Sequence, residues 1–134
     1  MKTKQQTDLF IVDDNKLFIT ALTNDIRQVF SKDHLNIKSL VVGELVLPFI
    51  NPKRTRLVIL DYELNSHYSD AMNGVKILDK IKQISPNCEV IMLTSKADEN
   101  LTVQSYHHGV ADFIIKSREW NSKQKVEAYY FIPY

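Results

Sequence analysis

The chain carries a single cysteine, Cys88, so no disulfide can form within it, which suits a reducing compartment. Cys88 stands at the mouth of an apolar run and is expected to be an inert, buried thiol. Charge of one sign is also lacking. The 17 basic and 16 acidic residues leave a formal net charge of +1, so there is no electrostatic footprint for nucleic acid or a membrane surface. No apolar run approaches membrane-spanning length. The first eight residues lead into only four apolar ones before two aspartates, too few for the core of a signal peptide. Internal repeats, low-complexity tracts and interdomain linkers are missing too. With 134 residues, 44% hydrophobic and 25% charged, the expectation is one soluble, cytoplasmic domain with a real core.

What the chain does have is four short apolar runs, each ending on a polar residue useful to phosphate chemistry. Leu9-Phe10-Ile11-Val12 runs into Asp13-Asp14, Leu57-Val58-Ile59-Leu60 into Asp61, Val90-Ile91-Met92-Leu93 into Thr94-Ser95, and Phe113-Ile114-Ile115 into Lys116. Such runs are the buried strands of a parallel sheet, and residues just past their carboxyl ends line the ligand crevice. Between them lie helical segments. Asn15 can cap one in which Leu17, Ala21, Leu22, Ile26, Val29 and Phe30 recur at helical spacing. A weaker strand is expected over 36–42, then a turn or two over 44–50 limited by Pro48 and Pro52. Gly74 opens a second amphipathic segment carrying Val75, Ile77, Leu78, Ile81 and Ile84, stopped at Ser85-Pro86-Asn87. Asp98 is expected to cap a helix to about His108, with Gly109 left-handed at its end. Ser117 is expected to cap a last helix through Trp120, Val126 and Tyr130.

Five strands alternating with five helices give a doubly wound α/β fold, a (βα)5 flavodoxin-like three-layer sandwich with sheet order 2-1-3-4-5. That order places the first and third strands side by side, so Asp13, Asp14 and Asp61 should meet. Three carboxylates so close repel one another, and a hard divalent cation removes the conflict; Mg²⁺, bound by carboxylates, waters and phosphate oxygens, is the expected cofactor. A lone Asp-Asp pair would be read as a helix cap; the coincidence with Asp61 turns the reading toward a metal. Asp61, on a rigid strand end, can attack phosphorus as a nucleophile. Lys116 and the Thr94 hydroxyl would then offset charge on the phosphoryl oxygens. Their separation of 22 residues, from 94 to 116, fits one helix and one strand and so adjacent strand ends.

These residues, in this order, resemble a response-regulator receiver domain of two-component signalling, CheY-like, over about residues 8–130 of a single domain at 1–134. The resemblance rests on Asp13-Asp14, Asp61 after Leu-Val-Ile-Leu, Gly74, the Val-Ile-Met-Leu-Thr-Ser run, and Gly109-Val-Ala-Asp-Phe-Ile-Ile-Lys116. It implies a phosphoprotein in which Asp61 accepts phosphate from a sensor histidine kinase or a histidine phosphotransfer protein. It implies Mg²⁺ on Asp14, Asp61 and the Glu63 main-chain carbonyl, with Asp13 acting through water. Thr94 and Phe113 would be the switch residues, and Ser95 would modulate the site beside Thr94. Output would appear on the face of the fourth helix, fifth strand and fifth helix. The partners implied are a downstream effector or a covalently linked output domain, and a homodimer on activation, with no direct nucleic-acid or membrane binding.

Three features depart from the family pattern. Ser117 follows Lys116 where the family has a proline in a cis bond, and a non-proline cis peptide costs about 2.5 to 4 kcal/mol. The loop from 64 to 74 is longer and lacks a proline. Glu63, two residues past the nucleophile, either tunes access of water to phosphorus or is a solvated loop acid. The four histidines, His34, His67, His107 and His108, lack partners at metal-ligand spacing and read as surface residues. The aromatics Trp120, Tyr129, Tyr130, Phe131 and Tyr134 read mostly as packing, with any exposed remainder a dimer or partner surface. Two other functions remain open. One is a degenerate receiver that acts as an interaction module without phosphorylation. The other is a phosphohydrolase of the haloacid-dehalogenase type, suggested only by Asp61-Tyr62-Glu63.

Overall fold

The computed structural model describes residues 7–30, 35–41, 43–62, 73–95 and 99–116. Five strands form one parallel sheet: β1 (Thr7–Val12), β2 (Leu35–Leu40), β3 (Thr55–Asp61), β4 (Glu89–Thr94) and β5 (Asp112–Ile115), in the order β2-β1-β3-β4-β5. All four pairings are parallel, so each connection must cross over the sheet. The crossovers carry α1 (Lys16–Val29), a 3₁₀ segment (Gly43–Phe49), α2 (Gly74–Ile84) and α3 (Glu99–His107). The expected fifth helix, from Ser117, lies outside the described residues. No described helix is long and apolar enough to cross a membrane.

The strands are apolar on both sides because both faces are covered. Phe10, Val12, Val58, Leu60, Val90 and Met92 pack with Ile77, Leu78 and Ile81 of α2 and with Val46 of the 3₁₀ segment. Their neighbours Leu9, Ile11, Leu57, Ile59, Ile91, Leu93 and Ile114 face the other way, against Leu22, Ile26 and Phe30 of α1. This is the period-2 alternation of a strand, and each such buried side chain contributes about 1.5–3 kcal/mol.

The α1 stripe differs from the one expected. Leu17 is 84% exposed and Ala21 is exposed, whereas Phe18 and Ile19 pack against the core with Leu22, Ile26 and Phe30. The helix is rotated so that Phe18, Leu22 and Ile26, each four residues apart, face inward. In α2, Ile84 likewise lies on the outer side, 39% exposed. The segment near Pro48 is a 3₁₀ stretch with the proline inside it, and the proline, with no amide to donate, keeps it to the turn or two expected. Gly109 adopts φ +96°, the left-handed stop expected after α3.

Asn73 caps α2, its side chain accepting from the Lys76 amide at 3.0 Å. Gly74 follows because no side chain fits there. A Cβ would stand 2.9 Å from the Tyr62 Cα and 3.1 Å from the Met92 Sδ. Gly74→Ala should therefore overpack the junction of β3 and α2 and cost about 1–3 kcal/mol, read as a lower urea midpoint at unchanged slope. Cys88 is fully buried, and desolvation pushes its thiol up to about 12. In the native protein it should resist a thiol reagent at pH 8 and react once unfolded. Because the folded value is the higher one, this group's contribution to stability is intact below about pH 9 and is lost as pH rises toward 12.

Candidate functional site

Hydrogen bonding continues past the carboxyl ends of the strands and fixes the residues there. The Asp13 amide donates to the Leu40 carbonyl, Tyr62 to Leu93, and Lys116 to Thr94, at 3.0, 2.8 and 2.9 Å. Asp61 pairs in register with Leu93 on β4, and Thr94 with Ile115 on β5. Three strand ends thus present Asp13, Asp61 and Lys116 from backbone that is already laddered.

The side chains meet. Carboxylate oxygens of Asp13, Asp14 and Asp61 lie within 4.8 Å of one another, Asp13 and Asp61 buried and Asp14 exposed. The Lys116 Nζ stands 2.7 Å from Asp13 Oδ2 and 3.4 Å from Asp61 Oδ2. Asp13 is engaged through both oxygens, since Oδ1 accepts from the Asn15 amide at 2.9 Å. Asn15 in turn caps α1, its Oδ1 accepting from the Phe18 amide at 3.0 Å. The Phe18 ring lies under the ammonium, with Nζ 4.9 Å from its centroid. Burial disfavours the charged form of Lys116. The hydrogen bond to Asp13 and the charges of Asp61 and Asp13 outweigh it and hold its pKa above the ordinary lysine value.

Charge is the deciding quantity. Among the described residues three carboxylates face one ammonium, so negative charge is in excess. At an effective dielectric near 20, two like charges at this separation repel by roughly 3 kcal/mol, less where solvent screens Asp14. A hard divalent cation matches both the deficit and the all-oxygen donor set, so the residues present fit one. Thr94 is buried at the end of β4, and Ser95 beside it is exposed. Phe113 is half-buried on β5 against the α2-side core. Its amide donates to Asp112 Oδ1 at 2.9 Å and to the Tyr106 hydroxyl at 3.3 Å. Glu63, Ser117, His34 and His67 lie outside the described residues. His107 and His108 are exposed, and His108 pairs with Asp79 across the gap between α3 and α2.

Two features had no local signal in the sequence. Phe18 was hidden because the expected helix face ran through Leu17. The cluster at the opposite rim, where Asp8 Oδ1 accepts from Arg54 at 3.0 Å and from Asn36 at 3.1 Å, joins residues 46 and 28 positions apart. That rim also holds a cleft of about 490 Å³, away from the acids.

The family model for the response regulator receiver domain matches residues 9–126. No curated protein sequence matches the chain. Among solved structures, the phosphorylated cyanobacterial phytochrome response regulator RcpA superposes with a TM-score of 0.75 at 20% identity, over 97% of this chain and 98% of that one. The BeF3-activated DrrB receiver domain of Thermotoga maritima gives 0.74 at 22% identity, over 94% and 98%. A Burkholderia pseudomallei response regulator, solved with a phosphorylated aspartic acid, a calcium ion and citrate, gives 0.74 at 15% identity, over 92% of this chain and 66% of that one. This chain therefore spans just under two thirds of that longer protein, and at these identities the likeness establishes the fold.

The charge deficit makes a measurable demand. Mg²⁺ should raise the thermal midpoint, by the equivalent of about 2.7 kcal/mol at 100 times its Kd. A chelator should reverse the gain, and Asp14→Asn or Asp61→Asn should abolish most of it.

Proposed function

The chain belongs to the response regulator receiver domain family, and we propose that within it Asp61 is the phosphoacceptor of a single receiver domain spanning 1–134. One observation carries the reading: a single ammonium, Lys116, reaches both Asp13 and Asp61 while Asp14 completes an acidic cluster with them. An Asp61 carboxylate oxygen attacks the phosphorus of a phosphohistidine; the O–P bond forms, the N–P bond breaks, and the imidazole leaves and takes up a proton. Lys116 offsets charge on one equatorial oxygen, and the Thr94 hydroxyl takes another. Asp14, Asp61 and the Glu63 main-chain carbonyl, with Asp13 through water, would hold Mg²⁺, which would supply further charge neutralisation.

The phosphoryl group brings about 1.5 to 2 negative charges as the Asp61 carboxylate gives up its own, so the site gains about one. The protein then shifts toward whichever conformation binds that charge better. Thr94 closing on the phosphoryl group and Phe113 turning inward carry the change to the face of α3, β5 and the segment after it. The donor is a sensor histidine kinase or phosphotransfer protein in the cytoplasm, and the receiver of the signal is an effector, a linked output domain or a second copy. Ser95 and Glu63 adjust the lifetime of the acyl phosphate.

Incubation with Mg²⁺ and acetyl phosphate should add one phosphoryl group, seen by intact mass and mapped to Asp61. Asp61→Asn should lose it, and Lys116→Met should slow it about 10²-fold. A wild-type protein that takes up neither phosphate nor beryllofluoride would instead be an interaction module.

A further inference from the structure

We propose that Phe18 is a positioning residue for the phosphorylation of Asp61, acting through Lys116; the inference rests on the function proposed above. Lys116 leaves the sheet on a backbone amide bound to Thr94, and its flexible four-carbon stem must then deliver the ammonium to one spot. The two carboxylates attract it from one side. The Phe18 ring supplies the missing wall, with the ammonium lying over its face at 4.9 Å from the centroid. A cation there is held by the ring's quadrupole, and more strongly where water is displaced. The Lys116 side chain is 19% exposed.

The ring itself is anchored twice. It packs against the α1-side core, and its amide is held by the Asn15 side chain. The contacts close on themselves. Asp13 Oδ1 holds the Asn15 amide, Asn15 Oδ1 holds the Phe18 amide, the Phe18 ring carries the Lys116 ammonium, and the ammonium returns to Asp13 Oδ2. The first turn of α1 thereby sets the lysine's position relative to Asp61, although helix and lysine are far apart in the chain. Because positioning and charge compensation provide most of the catalysis in phosphoryl transfer, loosening this cycle slows the reaction without removing any reacting group.

Phosphorylation rates with acetyl phosphate and Mg²⁺ test this in wild type, Phe18→Leu and Phe18→Tyr, each also placed in a Lys116→Met background. Phe18→Leu keeps an apolar side chain and removes the π face. It should lower the saturating rate about three- to tenfold and leave the half-saturating donor concentration nearly unchanged. Phe18→Tyr should restore the rate, and in Lys116→Met neither change should matter further. The Lys116 ε-methylene NMR signals should show an upfield ring-current shift in wild type and Phe18→Tyr that Phe18→Leu loses, with thermal melts confirming that each variant folds. A wild-type rate in Phe18→Leu, an equal slowing in the Lys116→Met background, or no upfield shift in wild type would overturn the proposal. Failure of the wild type to accept phosphate would sink the functional reading instead, while the ring-current shift still reports on the Phe18 contact.

Discussion

A shortage of positive charge at one edge of the sheet governs this molecule. Asp13 and Asp61 are buried where solvent cannot screen them, Asp14 stands beside them, and among the described residues one half-buried ammonium reaches Asp13 and Asp61. The fold tolerates the arrangement because each carboxylate sits on a strand end, or next to one, whose backbone is already paired. The backbones that carry Asp13 and Asp61 cannot move apart without breaking the ladder. That rigidity keeps the deficit in place for a cation to exploit, a case of preorganised electrostatics.

The same residues serve structure and chemistry together. Asp13 joins the start of α1 to Lys116 through its two oxygens, so the helix cap and the charged centre are one network. Gly74 allows α2 to begin against Tyr62, the residue after Asp61, so the α2 face of the core presses directly on the strand that bears the carboxylate.

Much of this was legible in the sequence, for identifiable reasons. The runs ending at Asp13, Asp61 and Thr94 are apolar on both strand faces, as the central strands of a covered parallel sheet are, and the run ending at Lys116 forms the edge beside them; the 2-1-3-4-5 order then brought the acids together. Gly109 announced a left-handed stop. The α1 face was drawn through Leu17 instead of Phe18 because the two are adjacent apolar residues and periodicity alone does not choose between them. The choice is made by tertiary packing, where Phe18 gains both the core and the ammonium. The Asp8, Arg54 and Asn36 cluster was invisible because its members come from three separate segments with no spacing rule to link them.

The bond from the Lys116 amide to the Thr94 carbonyl ties the hydroxyl-bearing and amine-bearing strand ends to a single hinge. Whatever pries β5 away from its neighbour must withdraw the amine as well. Because the same ammonium neutralises Asp13 and Asp61, a shift of that border of the sheet also changes the charge left on the acids, and one amide joins the two.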